Sequence, residues 1–484
     1  MSEKNPYIHL FKTSQAYYVY DVNTNQICQI PESLYHELLQ SLQMCNRPNL
    51  VSSQWEELEA EGLLQTGRPE KVEHPESRYY PFLHRNKMKT MILQVTQRCN
   101  LRCEYCIYSG DYKNRSHVNK DMPWEIAKQA MDYFIAHSRD TNPIMLAFYG
   151  GEPLLNLMLI KQSVEYIKEK AFGKNIKFAI TTNGTLLTHE IVDFLVENNF
   201  QLAISLDGPE SVHDQHRKFA NSDKGSFRIL KENYLSILNR YPEYAKKITF
   251  NTVLDASRPY KEVADFLNKD ETFGQSSFQI SSIDPNYGSK FLSVSSEYLE
   301  EVKYEYFLFL MQRLGKIRAN LRAKQAYQRY HALVDKIVKA PVSESIGSTN
   351  HHAGPCVPGV HRLFVNAEGK FFPCERVSEL SQIAYLGNVS TGVDPGRAYS
   401  VLNIGEATAE KCKNCWCYRF CNVCVKAVDG ITEYDYKQME QNCQSTKQDI
   451  EASMKEYCTL MDLGYDFYDE KNKRDRLLGE DWYE

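Results

Sequence analysis

The run Cys99-Asn-Leu-Arg-Cys103-Glu-Tyr-Cys106 sets three cysteines in the spacing C-x3-C-x2-C. It follows at once on a short apolar, β-rich segment, MILQVT (91–96), the first of several that alternate with amphipathic stretches. Soft thiolates select iron–sulfur clusters, and spacings this short let one loop wrap the cube. Clusters that only move electrons are held by four cysteines. A set of three leaves one iron without a protein ligand, the position a chelating small molecule would occupy. A three-cysteine zinc site is the other reading, and the missing fourth ligand speaks against it.

Outward from this run, the segments IMLAFYG (144–150), IKFAITTNG (176–184), QLAISLDG (201–208), KITFNTV (247–253) and SFQISSI (277–283) also read as strands. Between them lie amphipathic stretches such as Trp124, Ala127, Met131 and Phe134, entered through Asp121 and Pro123. Six strand–helix repeats from about Met88 to Pro285 predict an α/β fold, a parallel sheet curved into a partial (β/α)6 TIM-like barrel. Ligands on such a sheet gather at the carboxyl ends of its strands. Gly150-Gly151-Glu152-Pro153 ends the second strand, Thr182-Asn183-Gly184 the third, and Ser205-Leu206-Asp207-Gly208 the fourth. Paired glycines permit a tight turn with backbone groups facing a ligand. Asn-Gly and Asp-Gly are also ordinary turn pairs. At successive strand ends they read together as polar groups lining one site.

Composition bounds the partners. The chain has 484 residues, 42% hydrophobic and 25% charged, enough for two or three soluble domains. A net charge of −5 makes no electrostatic case for nucleic acid. The start, MSEKNPYIHLFKT, has no apolar signal core, and no stretch approaches the ~20 apolar residues of a membrane span. The protein is expected in the cytoplasm, where thiols stay reduced, so its 14 cysteines read as metal ligands before disulfides. Cys28, Cys45 and Cys458 stand alone and read as packing residues.

Residues 1–75 read as a separate module: three short strands (YIHLFKT, AYYVYDV, QICQI) with a turn at Asn23-Thr24-Asn25, then two helices. The first helix carries Leu34, Leu38, Leu39 and Leu42; the second opens with Ser53 and Glu56 in capping-box spacing before Trp55, Leu58 and Leu63. The order is winged-helix-like, and 69–81 reads as a linker. The barrel is expected over 88–310, a helical bridge over 311–350, a cysteine-rich, loop-rich region over 351–445 and a helical tail over 446–484. The cysteine-rich region runs Cys356, Gly369-x4-Cys374, Cys412-x2-Cys415-x5-Cys421-x2-Cys424 and Cys443, with Cys417 as an extra thiol.

CNLRCEYC with the strand-end motifs across 88–285 resembles the radical S-adenosylmethionine (SAM) enzymes. That resemblance implies a [4Fe–4S] cluster on Cys99, Cys103 and Cys106, its open iron taken by the amino and carboxylate groups of SAM, and a 5′-deoxyadenosyl radical as the hydrogen-abstracting agent. It places Tyr105 by the adenine, the Gly150, Gly151 and Glu152 segment at the ammonium, and Thr182 and Asn183 along the site. Ser205, Asp207 and Arg217 would face the ribose and carboxylate, while His213 and His216 read as structural.

The cysteine-rich region resembles the SPASM extension of peptide- and protein-modifying members, which holds two auxiliary [4Fe–4S] clusters. The resemblance implies one cluster on Cys412, Cys415, Cys421 and Cys443 and another on Cys356, Cys374 and Cys424, with an open iron unless Cys417 closes it. The fifth spacing is shorter than usual, with only Asn422 and Val423 between Cys421 and Cys424. Glu375 stands where sulfatase-maturing relatives carry an aspartate base; a surface glutamate is the alternative.

The N-terminal module resembles the RiPP recognition element, which binds a leader peptide by adding it as a strand to a sheet edge. A capping or oligomerisation module is the alternative; few Lys or Arg disfavour DNA. The implied activity is a peptide maturase forming Cys thioether (sulfur-to-carbon) crosslinks in a leader-bearing precursor peptide, with a flavodoxin- or ferredoxin-type reductant. Formylglycine formation and carbon–carbon or carbon–oxygen crosslinking are the enzymatic alternatives. An iron–sulfur electron carrier or a leader-binding scaffold is the non-catalytic one.

Overall fold

The computed structural model describes residues 5–44, 51–109, 117–283, 293–318, 322–352, 354 and 356–469. Cys45, the Pro285 end of the strand–helix repeats and the tail from residue 470 lie outside them. The N-terminal alternation forms an antiparallel sheet of β1 (Ile8–Lys12), β2 (Tyr17–Asp21) and β3 (Gln26–Ile30), in that order. Period-two alternation gives the sheet two apolar faces. Ile8, Val19 and Ile30 pack with Leu34 and Leu38 of helix Glu32–Met44 and Trp55 of helix Ser53–Ala60. Ser52, not Ser53, caps the second helix. Its backbone is extended (ψ 157°) and its hydroxyl accepts from the Trp55 amide, while Ser53 is already helical.

The other face of this sheet presents Phe11, Tyr18 and Tyr20, which with Tyr7 and Val22 share a core with Cys417, Tyr418, Ile450, Met454 and Cys458. The expected linker also differs from its reading. Within it β4 (Lys71–Val72) pairs in parallel with a segment near residue 350, and Val72, Ser77 and Tyr80 are buried.

The central sheet supplies the site. Strands β5 (Thr90–Thr96), β6 (Ile144–Gly150), β7 (Ile176–Thr182), β8 (Phe200–Ser205), β9 (Thr249–Leu254) and β10 (Ser277–Ser282) are parallel and adjacent in chain order. Of the strands near the C-terminus, β11 (Thr349–Asn350) is the partner of β4. The next four, β12 (Leu363–Val365), β13 (Lys370–Phe372), β14 (Gly387–Asn388) and β15 (Gly392–Val393), continue the central sheet to ten strands. β12 lies parallel to β5, so the barrel stays open: β5 is paired by the cysteine-rich region instead of by β10.

One face of this sheet carries Leu146, Phe148, Phe178, Ile180, Ile204, Phe250 and Phe278, each at most 2% exposed. They pack into one core with the intervening helices, among them Trp124–His137, Leu157–Lys170 and Phe227–Arg240. Each such side chain contributes about 1.5–3 kcal/mol. Met145, Ala147 and Tyr149 alternate with them and line the inner face, in register with Thr90, Ile92 and Gln94 of β5. No helix among the described residues is long and apolar enough to cross a membrane.

Candidate active site at the carboxyl ends of the sheet

The three-cysteine loop leaves β5 at Thr96 and is clamped on both sides. Asp121 accepts from the Thr96 hydroxyl at 2.5 Å and from Arg98 Nε at 2.9 Å. Across the loop, the Arg102 amide donates to the Lys218 carbonyl, and Cys106 N closes a turn on the Cys103 carbonyl. The glycine pair at the end of β6 makes this docking possible. A Cβ on Gly150 would stand 2.0 Å from the Thr96 carbonyl oxygen, and one on Gly151 2.1 Å from that of Arg98. Gly151 N and Glu152 N donate to those same two oxygens. Gly150 also has φ +145°, which a side chain disfavours.

Glu152 is fully buried and ties β6 to β7. It accepts from Leu154 N, the Thr182 hydroxyl (2.8 Å) and Asn183 N (2.7 Å). Burial raises its carboxyl to about 7, against the pull of these donors. Its side chain is thereby committed to holding the strand ends. The Asn183 amide reaches Asn100 Oδ1 at 2.8 Å and stands 4.0 Å from Cys99 Sγ.

On the far side of the loop, Arg217 and Asp207 form a buried ion pair (2.7 Å), and the Tyr105 hydroxyl donates to the same Asp207 oxygen. Arg217 Nη1 stands 3.9 Å from Cys103 Sγ. Burial works to raise Asp207, but Arg217, His213 and Tyr105 outweigh it and hold the carboxyl below the usual range. Burial pushes the Cys99 and Cys103 thiols up to about 12; for each, its cysteine neighbours push further the same way.

Ser205 is the last residue of β8, in register with Asn251. His213 is buried, bonded to Ser226 through Nε2 and accepting from Asp207 N, and burial lowers its pKa to about 3. His216 lies between Glu104 (3.1 Å) and Asp255 (3.3 Å). Both are packed into the wall around Asp207, in keeping with structural roles.

The C-terminal cysteines fall into two neighbourhoods. Cys421 is raised to about 12 by burial and then by Cys443, Cys415 and Cys412. Cys443 in turn is raised by burial, Cys412 and Cys415. Buried Cys417 has Cys415, Cys421 and Cys443 as its sulfur neighbours. The N-terminal sheet covers this group: the Tyr7 hydroxyl donates to the Cys415 carbonyl at 2.8 Å, and His9 stacks on Trp416 at 3.7 Å. Elsewhere, Cys374 is raised to about 11 by burial, Glu375 and then Cys424, its sulfur neighbour. Cys356 is exposed. Glu375 is pinned by Arg362, whose Nη1 reaches both carboxylate oxygens at 3.1 and 3.2 Å.

One group was missed in the sequence. Gln94, on the inner face at the end of β5, donates through Nε2 to Glu379 (2.6 Å) and to the Tyr108 hydroxyl (2.7 Å). Gln97 and Asn366 donate to the other Glu379 oxygen, both at 3.2 Å. A glutamine inside an otherwise apolar strand was the available signal.

Among the described residues no three Cys, His, Asp or Glu side chains already stand in metal-binding geometry. The fit is judged instead from the donors. Three thiols on one clamped loop, with the Asn183 amide and Arg217 guanidinium beside two of the sulfurs, suit a thiolate-bound iron–sulfur cluster.

Comparison with known proteins agrees. The radical SAM superfamily model matches residues 93–269. An uncharacterized protein of Methanocaldococcus jannaschii is 30% identical over 304 residues, 63% of this chain and 89% of that one. A cysteine-type anaerobic sulfatase-maturating enzyme of Clostridium perfringens is 23% identical over 378 residues, 75% of this chain and 95% of its own. The solved structure of native anSMEcpe with bound AdoMet and Kp18Cys peptide superposes with a TM-score of 0.52 at 20% identity, covering 76% of this chain and 99% of that one. The chain belongs to the radical SAM superfamily. It is related to the maturases that modify peptides or proteins, and the superfamily implies SAM and a [4Fe–4S] cluster.

Proposed function

We propose that the protein is a peptide maturase that joins a cysteine sulfur to carbon in a ribosomally made precursor. When bound at Cys99, Cys103 and Cys106, the cluster and SAM would supply a 5′-deoxyadenosyl radical. Arg217, Asp207 and Tyr105 would orient the cofactor's ribose and carboxylate. The Gly150–Gly151 turn would present backbone groups to its ammonium, with Glu152, Thr182 and Asn183 fixing that turn and Ser205 on the adjoining wall. Burial of these groups would keep water from the radical.

The observation that carries the thioether reading is the partition of the C-terminal cysteines. Cys412, Cys415, Cys421 and Cys443 make a complete four-thiolate set, and Cys417 lies beside it. Cys374 has Cys424 beside it, and the SPASM resemblance adds Cys356 to make a three-thiolate set whose fourth position a substrate thiolate could fill. The N-terminal module supports a leader-bearing substrate, since β3 pairs only with β2 among the described residues. The assignment of residues 1–75 to leader binding and of 351–445 to two auxiliary clusters belongs to this proposal.

The test is electron paramagnetic resonance of the iron-loaded chain with and without a cysteine-containing peptide, together with mass spectrometry after turnover. A changed auxiliary-cluster signal and loss of two hydrogens per crosslink are expected. An unchanged signal from both auxiliary clusters would sink the reading. A sulfatase-type maturase is the second reading, favoured by the Clostridium perfringens relative; formylglycine in place of a crosslink would establish it.

A further inference from the structure

We propose that Glu379 is the carboxylate that takes the proton leaving the peptide as it is oxidised, with Gln94, Gln97 and Asn366 as its positioning residues. This rests on the reading of the chain as a peptide-oxidising maturase. The placement comes first. Gln94 faces the inside of the sheet at the carboxyl end of β5, and Gln97 lies two residues before Cys99. Tyr108, bonded to the same Gln94 amide, lies two residues after Cys106. Asn366 follows β12, and Glu379 itself lies five residues beyond Cys374. The carboxylate therefore sits where the three-cysteine loop and the Cys374 segment meet at the mouth of the barrel.

Its hydrogen-bond chemistry separates it from Glu375. Glu375 is held by a guanidinium, which has only donors and offers nothing to a protonated carboxyl. Glu379 is held by three neutral side-chain amides, which oppose protonation of its carboxylate less than a fixed positive charge does. Gln97 also donates to Gln94 Oε1, the Ala367 amide fixes that same oxygen, and the Glu368 and Lys370 amides fix Asn366 Oδ1, so the amides are anchored with their donors toward Glu379. The balance is that of a two-electron oxidation. One hydrogen leaves the peptide as an atom to the adenosyl radical; the second leaves as a proton to Glu379, its electron passing to an iron–sulfur cluster.

The experiment uses the full chain, iron-loaded and anaerobic, with SAM, dithionite and a synthetic cysteine-containing peptide. Glu379→Gln should lower dehydrogenated peptide about 10²-fold or more. Formation of 5′-deoxyadenosine should change only a few-fold. Glu379→Asp should recover part of the loss, and the acidic limb of the wild-type pH–rate profile should vanish in the Gln variant. Product and 5′-deoxyadenosine falling together would overturn the assignment, as would an acidic limb that persists or the same signature from Glu375→Gln alone. Wild-type product that has lost hydrogens without a crosslink would sink the thioether reading and leave Glu379 standing; no dehydrogenation at all would sink both.

Discussion

The two cysteine-bearing regions are built in opposite ways. The loop from Cys99 to Cys106 is one short stretch, seated against the β6 end by close backbone contact at Gly150 and Gly151. The C-terminal group joins Cys412 to Cys443 through loops, short helices and the start of helix Tyr436–Asp462, then takes its cover from the first strands of the chain. A local site is fixed by spacing and by the room its backbone is given. A dispersed site is fixed by whatever packs over it.

The largest expected contrast comes from removing one thiol on each side. Cys103→Ser should abolish SAM cleavage while the C-terminal region still binds iron. Cys421→Ser should spare SAM cleavage and stop peptide product; iron analysis and 5′-deoxyadenosine assays read the two separately. If Cys421→Ser also abolished cleavage, the regions would not be independent.

Next comes Gly151→Ala, whose Cβ overlaps the Arg98 carbonyl. Backbone displacement of this kind costs about 1–3 kcal/mol, so iron at the first site should be lost before global stability, as followed by iron content and urea unfolding. Tyr7→Phe removes one bond to the Cys415 carbonyl and should cost only about 1 kcal/mol, read in the same unfolding experiment. A larger loss at Tyr7 than at Gly151 would reverse the comparison.

Acid should act mainly on the dispersed side and the barrel wall. Burial holds His351 at about 4 and His213 and His352 at about 3, so the fold keeps them neutral where the unfolded chain would charge them near 6.5. The unfolded state then binds more protons, and stability should fall as pH drops from about 6.5 toward 4. His213→Gln should flatten that slope in urea unfolding; an unchanged slope would count against it.

Much of the barrel was legible because its strands are short apolar, β-rich runs separated by amphipathic helices, each burying one face in the shared core. Ile144–Gly150 was read to the residue. The three-cysteine loop was legible because its ligands are neighbours in sequence. The extension of the sheet through β12–β15 was not, since these strands are two or three residues long and carry no period. Nor was the Glu379 group, whose members come from three segments and meet only in the fold. Ser52 was passed over because two adjacent serines offer the same cap, and only backbone geometry chooses.

The cover that the first sheet lends to the cysteine group also has a consequence in time. Tyr7 and Cys415 are 408 residues apart. At a synthesis rate of about 5–20 residues per second, the aromatic side of that sheet waits about 20–80 s for the surface it is meant to meet. Until that surface is made, the nascent chain carries Tyr7, Phe11, Tyr18 and Tyr20 without the core partners they have in the fold, a point of capture for a chaperone.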